Sequence, residues 1–453
     1  MNRILSGLLM AALVASLTQM PAASSAASTG LSTLDAAEIQ FTYGKIRSDF
    51  YRRSDPQAIV AGAREQMQKT LRGAGVRGTL PPLVAAADPA ITLAGVDREV
   101  NAASRLAGSK VSSHLLAYAA LMGMLSSVHD KYTVFLTPKE YAALNEGLDG
   151  GTFSGTGIVI EANETSKLID VTNVVPGGPA ERAGIQQDDV IVAIDGISTR
   201  GMTVQQASGH LRGKEGSGVL LSIMRDGRAL RAPIAIVRAV VHQLSVYSKM
   251  LSNHIGYVAL TVFGKNTGAE LATALDRLQQ QGSRAIVMDL RDNGGGYLDA
   301  AIAVSSKFIA SGPIVSVESR ASNITTLEAD ATAINPLPLA VLVNGHTASA
   351  SEITSGAIQD SGTGTIIGTK TYGKGVVQSI WRLPDDAAVK ITTARYLTPR
   401  NRDINHIGIM PDIIVPENKN PRYGEVARDV QLQRAIIVLT QKIARADEGS
   451  AGT

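Results

Sequence analysis

The chain contains no cysteine. That excludes disulfides, thiol nucleophiles, iron–sulfur clusters and cysteine-type zinc sites, so whatever chemistry it performs rests on other side chains. It is also short of charge. Asp, Glu, Lys and Arg make up 18% of the 453 residues, against roughly 25% in ordinary soluble domains. Its 43 basic and 40 acidic residues leave a formal charge of +3, so no one-signed field points to nucleic acid as a partner. Familiar motifs are missing as well. None of the 7 histidines falls in H-E-x-x-H, and there is no G-x-S-x-G nucleophile elbow. Gly368-Thr369-Lys370-Thr371-Tyr372-Gly373-Lys374 has the spacing of a nucleotide-binding loop, but Gly375 stands where the magnesium-binding hydroxyl belongs. Gly362-Thr363-Gly364 with Gly368 has one residue too many for a dinucleotide fingerprint. Both stretches are better taken as turns, and no metal or cofactor is expected.

Apolar residues make up 44% of the chain, enough for a substantial core and about three domains of roughly 150 residues. Arg3 precedes an uncharged apolar run from Ile4 to Leu17, short of the about 20 residues a membrane span needs. Small residues follow from Pro21 to Ser28, completing the pattern of a cleavable secretory signal over residues 1–30. Export is therefore expected, with a bacterial periplasm as the compartment. Residues 31–148 show apolar positions three and four apart and are predicted helical, interrupted by a Gly/Pro-rich loop from Gly73 to Pro89. Residues 149–241 change to short β-branched runs separated by glycine turns, a compact strand-rich module. Residues 242–425 alternate strand and helix, as a layered α/β domain does, and residues 426–453 form an amphipathic helix and polar tail. The fold class expected is multidomain α/β.

Two strand ends in the α/β region are unusual. Arg291-Asp292-Asn293-Gly294-Gly295-Gly296 follows the apolar strand Ile286 to Leu290, and its glycines let backbone N–H groups approach a ligand without Cβ obstruction. Val341-Leu342-Val343 runs into Asn344-Gly345-His346-Thr347-Ala348-Ser349-Ala350-Ser351-Glu352, where small residues crowd a strand-to-helix junction. The first N–H groups of such a helix are unpaired and free to face a substrate.

Together with Thr371-Tyr372-Gly373-Lys374-Gly375-Val376-Val377-Gln378, these stretches resemble, in order and spacing, the carboxy-terminal processing proteases, a serine/lysine peptidase family. Asp130 to Pro138 is similar to the family's segment before its inserted module, so the resemblance spans roughly residues 35 to 425. It implies that Ser349 is the nucleophile, Lys374 the general base and Gln378 the residue supporting that lysine. It also implies an oxyanion hole from the N–H groups of Ala350 and Gly295. The inserted module resembles a PDZ domain, with Gly155, Thr156, Gly157 and Ile158 where a carboxylate-binding loop would lie, and with Asp188 at a place commonly glycine. The expected partners are protein or peptide substrates with apolar C-termini, captured by strand addition; a homo-oligomer or an activating adaptor stays open. A lysine base demands a low-dielectric setting, because an ordinary amine with pKa near 10.4 is charged at neutral pH. Two alternatives remain: a non-catalytic export adaptor or chaperone that binds peptide tails, and a histidine-based peptidase using His346 or a histidine distant in the chain.

Overall fold

The computed structural model describes residues 30–451 except 149–151, 164–165, 176, 187, 243, 321–322, 334–336 and 419–422. The expected signal segment, apart from Gly30, lies outside the described residues. The helical region opens with α1 (Thr33–Asp49), α2 (Pro56–Gly73), α3 (Pro89–Ala107) and α4 (Ser113–Ser126). Each start is encoded locally, since Ser32, Asp55, Asp88 and Ser112 accept backbone N–H groups of the first turn, and Pro56 and Pro89 occupy first helical positions. Ile39, Ile46, Ile59, Met67, Val100 and Leu121 share one core. The helical pattern does not run unbroken to Leu148. Val134–Leu136 is a strand, β1, paired antiparallel with residues 388–390; the β-branched and aromatic run Thr133-Val134-Phe135 favours this pairing over another helical turn. Helix α5 (Pro138–Leu148) follows.

The inserted module begins with β2 (Thr152–Gly155) and ends with β10 (Ala239–His242), and these two strands pair antiparallel as a stem where the chain enters and leaves. Between them lie β3 (Ile158–Ala162), β4 (Ile169–Val174), α6 (Pro179–Arg182), β5 (Val190–Ile194), β6 (Ile197–Ser198), α7 (Val204–Leu211), β7 (Gly218–Arg225), β8 (Arg228–Ala229) and β9 (Ile234–Val237). The sheet order β3-β4-β5-β7-β8 leaves β3 at an edge. Ile169, Ile191, Ile194, Ala207, Leu211 and Leu221 fill the module's own core. Asp188 sits at φ 70°, so the turn keeps the left-handed backbone that glycine would adopt most easily.

The α/β region contains β11 (Val246–Met250), β12 (Ile255–Leu260), α8 (Thr267–Gln280), β13 (Ala285–Asp289), α9 (Leu298–Ser305), β14 (Pro313–Ser319), β15 (Ile324–Glu328), β16 (Leu339–Val343), α10 (Ala350–Ser361), β17 (Gly364–Gly368), β18 (Val376–Arg382), β19 (Ala388–Leu397), β20 (Ile413–Ile414) and α11 (Val430–Ala451). One sheet runs β11-β12-β13-β16-β17-β20, parallel from β12 onward. Helices α8, α9 and α10 cover one face and α11 the other. Every residue of β13 and β16 is consequently buried, which is why both read as apolar runs, with Asp289 alone at the carboxyl end of β13 as the charged exception. A second, antiparallel sheet, β1-β19-β14-β15 with β18 on β19, was not apparent from the sequence. The turn of the β18–β19 hairpin packs into the helical region through Leu383, Ala387, Val389 and Ile391, so one hairpin touches both the helical region and the α/β core.

Candidate active site

Strands β13 and β16 are parallel neighbours, and their carboxyl ends open side by side. Ligand crevices of α/β sheets form at such strand ends. Asn293, wholly buried, stitches the two ends together: its carbonyl accepts the Ala348 N–H at 3.0 Å and the Ser351 hydroxyl at 3.0 Å. Asn344 Oδ1 accepts the N–H groups of Asp292 (3.0 Å) and His346 (3.1 Å). Beneath them the buried Arg291 pairs with Asp289 at 2.5 Å and Asp429 at 2.6 Å, and stacks 3.8 Å from the Tyr423 ring. This buried ion cluster fastens the glycine stretch to the approach of α11.

Ser349 occupies the turn from β16 into α10 at φ 57° and ψ −118°, a backbone state that costs a non-glycine residue about 1–3 kcal/mol. Its side chain is half-buried rather than enclosed. Gly295, at φ 97°, lies directly against it; a Cβ there would be 2.8 Å from Ser349 Cβ, 2.8 Å from Ala350 N and 2.7 Å from Ala348 O. Only glycine fits. The Ala350 N–H, first in α10, has no acceptor among the described residues. The Gly295 N–H is given to Asn293 Oδ1 at 2.9 Å, and reaches an oxyanion only after that bond lets go.

Lys374 comes from the loop between β17 and β18, which passes tightly beneath residues 405–408: a Cβ at Gly373 would be 2.9 Å from the N atoms of Ile407 and Gly408. Burial, then the nearby cations Lys390 and Lys131, push its amine down to about 8, while Glu352 and Asp130 pull the other way. The amine lies 4.9 Å from the centre of the Tyr132 ring, and no hydrogen bond joins it to Ser349 Oγ. Gln378 donates to the Val376 carbonyl at 3.3 Å and not to Lys374. His346 is exposed, with Nδ1 3.0 Å from Asp292 Oδ1.

The structure therefore gathers Ser349, Ala350, Gly295 and Lys374, leaves Gln378 one strand further on, and keeps Gly155, Thr156, Gly157 and Ile158 in the inserted module. Residues 254–415 match the family described as peptidase family S41, and residues 171–225 match the PDZ domain. A carboxyl-terminal-processing protease of Picosynechococcus sp. is 38% identical over 340 residues, spanning 74% of this chain and 82% of that one. A second protein of the same description, from Synechocystis sp., is 35% identical over 340 residues, 74% and 79% of the respective chains. This chain belongs to the carboxyl-terminal-processing proteases.

A solved structure of a putative S41 protease from Bacteroides fragilis shares the fold, with a TM-score of 0.52 and 19% identity over 72% of this chain and 90% of that one. As a carboxyl-terminal-processing protease, the protein is a serine-type peptidase with a PDZ domain. Sequence reasoning passed over two residues that touch Ser349 or Lys374. Tyr132, whose ring the Lys374 amine faces, lies in the Asp130 to Pro138 stretch, where nothing in the sequence sets it apart from its neighbours. Glu352 closes the serine run, and Ser349 and Glu352 at N-cap and third position have the spacing of a capping box. Its carboxylate accepts four hydrogen bonds: the Ser349 N–H at 3.0 Å, the Lys374 N–H at 2.8 Å, the Gly373 N–H at 2.7 Å and the Thr371 hydroxyl at 2.5 Å. Among the described residues no group of three or more His, Asp or Glu is placed to hold a metal ion, and no helix is long and apolar enough to cross a membrane.

Proposed function

We propose that this protease is an exported endopeptidase that binds the C-terminal tail of a protein substrate in its PDZ module and cleaves the chain with Ser349 and Lys374. The observation that carries the reading is a lysine amine pushed down to about 8 by burial on a loop held by one carboxylate to the backbone of the serine. At that value a useful fraction is neutral near physiological pH and able to take the serine proton. Ser349 Oγ then attacks the scissile carbonyl as its proton passes to Lys374 Nζ. Negative charge collects on the carbonyl oxygen beside the Ala350 N–H, with Gly295 as second donor once Asn293 releases it. Collapse expels the amine, which takes the proton back from Lys374, and water hydrolyses the acyl-enzyme by the same route. Catalysis requires the amine to swing from Tyr132 to Ser349, with Gln378 supporting it there.

Tail capture is supported by the free edge of β3, with α7 alongside. The N–H groups of Thr156 and Gly157 have no acceptor among the described residues, which suits a terminal carboxylate, and the half-buried Ile158 and Ile160 offer apolar surface to the tail. The apolar run of residues 4–17 supports export.

The test uses the chain from Ser32 onward, with Ser349→Ala and Lys374→Ala beside it. Mass spectrometry follows the digestion of an unfolded protein with an apolar C-terminus. Cleavage by the parent and by neither variant is the expected result. Binding without cleavage by the parent would favour a tail-binding adaptor, and cleavage by Lys374→Ala would favour a histidine base.

A further inference from the structure

Glu352 is buried, at 0% exposure, and no cation among the described residues pairs with it. Its four partners are three backbone N–H groups and the Thr371 hydroxyl, which itself accepts the Ile409 N–H at 2.7 Å and so gives its own proton to Glu352. Every direction around the carboxyl is filled by a donor. A neutral acid would bring its own proton against one of them, so the pocket is built for the anion although burial pushes the carboxyl up. The donors come from two different elements. The Ser349 N–H belongs to the start of α10, while Thr371, Gly373 and Lys374 belong to the loop before β18. No strand pairing connects these elements, since β17 pairs with β16 and β20, and β18 with β19.

We propose that Glu352 is a positioning residue of the protease, a buried anionic brace that fixes the loop of the general base against the helix of the nucleophile. The proposal rests on the Ser349/Lys374 reading above and deepens it. The brace has two consequences. It holds the Lys374 and Ser349 backbones to the same oxygen, Oε2, and so limits the arc through which the amine must swing. It also places a fixed negative charge close to the amine. The charged and titratable groups facing that amine are Glu352 from α10, Lys390 from β19, and Asp130, Lys131 and Tyr132 from the segment before β1. Against burial and two cations, Glu352 is the largest influence that keeps Lys374 basic, and a base that loses too much proton affinity is a poor acceptor for a serine proton.

The experiment compares pH profiles of kcat/KM for the parent, Glu352→Gln, Glu352→Asp and Lys374→Ala on one peptide substrate, with thermal unfolding of each. Gln keeps the size, loses the charge and turns an NH2 toward two N–H donors. Its expected effect is a loss of about 10²-fold, carried by kcat with KM nearly unchanged, and an acid limb displaced by about half to one unit to lower pH. Asp keeps the charge and loses reach, so kcat falls while the acid limb stays near the parent's. A purely structural brace would lower activity without moving the limb for Gln. Parental kcat and an unmoved limb in Glu352→Gln, with Lys374→Ala inactive, would overturn this proposal alone; activity surviving in Lys374→Ala would overturn the serine/lysine reading and the brace with it. Should the Gln variant not fold, parental kcat in the Asp variant overturns the brace, and a kcat loss with a parental limb upholds it.

Discussion

The β18–β19 hairpin meets a buried carboxylate at each end, and the two are treated in opposite ways. At its base Glu352 receives four donors. At its turn Glu38 of α1, 1% exposed, has no donor on either oxygen and faces the carboxyl of Asp385. Around that pair stand Asp35, His114 with Nδ1 2.6 Å from Asp35, and Tyr118, whose hydroxyl donates to Asp385. Burial, and then the charge of Asp385, push Glu38 up to about 7. Surrounding N–H groups make a buried carboxyl a fixed charge, whereas a carboxylate neighbour makes it a holder of protons. At the base of the hairpin four donors favour the charged carboxylate against the burial that pushes it up, and at the turn no such donors oppose the burial of Glu38.

The comparison breaks most severely at Gly295→Ala. The added methyl would meet Ser349 Cβ, Ala350 N and Ala348 O below 3.0 Å, and all three belong to the backbone or to Ser349 itself, so the serine must move. We expect kcat/KM to fall by about 10²-fold or more, read by peptide hydrolysis; a variant within fivefold of the parent would show that the approach of the glycine stretch is not required. Next in size is the pH profile of the parent. On the proposed serine/lysine mechanism Lys374 works neutral, so kcat/KM should climb with pH and level off above about 8. Removing a cation at Lys390→Met relieves like-charge repulsion and should move that limb up by about half a unit, opposite in sign to the loss of Glu352. A limb that ignores both changes would mean that another group is being titrated.

These sites were unequally legible in the sequence. Ser349, Gly295 and Lys374 lie in short runs whose composition is dictated by local backbone demands, a strained turn, a contact below 3 Å and a tight crossing, and such demands leave their mark within a few residues. The buried strands Ala285–Asp289 and Leu339–Val343 were equally plain, because covering both faces makes every position apolar except Asp289, which Arg291 pairs. What stayed hidden depends on partners distant in the chain. Val134–Leu136 is a strand because it pairs with residues 388–390; Tyr132 matters because Lys374, some 240 positions later, lies over its ring; and Glu38 is poised by Asp385. The four donors around Glu352 are mostly backbone N–H groups, which every sequence offers, so only the fold shows where they converge.

At the far end the effects are on stability. Glu38 is raised from 4.5 to about 7, so the folded chain holds a proton that the unfolded chain has released. Stability should fall as pH rises between those two values and stay low above them. Glu38→Gln removes that slope and gives Asp385 a permanent donor, raising stability at pH 8 on the order of 2 kcal/mol in denaturant titrations. A variant that keeps the parent's slope would place the proton elsewhere in the cluster.

The smallest expected effect is the most discriminating. Tyr118→Phe deletes the hydroxyl that donates to Asp385, and at pH 8, with Glu38 deprotonated, the loss should cost about 1 kcal/mol. At pH 5 Glu38 carries a proton and supplies the donor itself, so the same substitution should cost less. In the Glu38→Gln background the amide supplies it at either pH, and the cost should be small and flat. Equal costs in all these settings would mean that Asp385 does not depend on Glu38 for its donor, and the two ends of the hairpin would then differ only in how many donors they hold and not in how they hold protons.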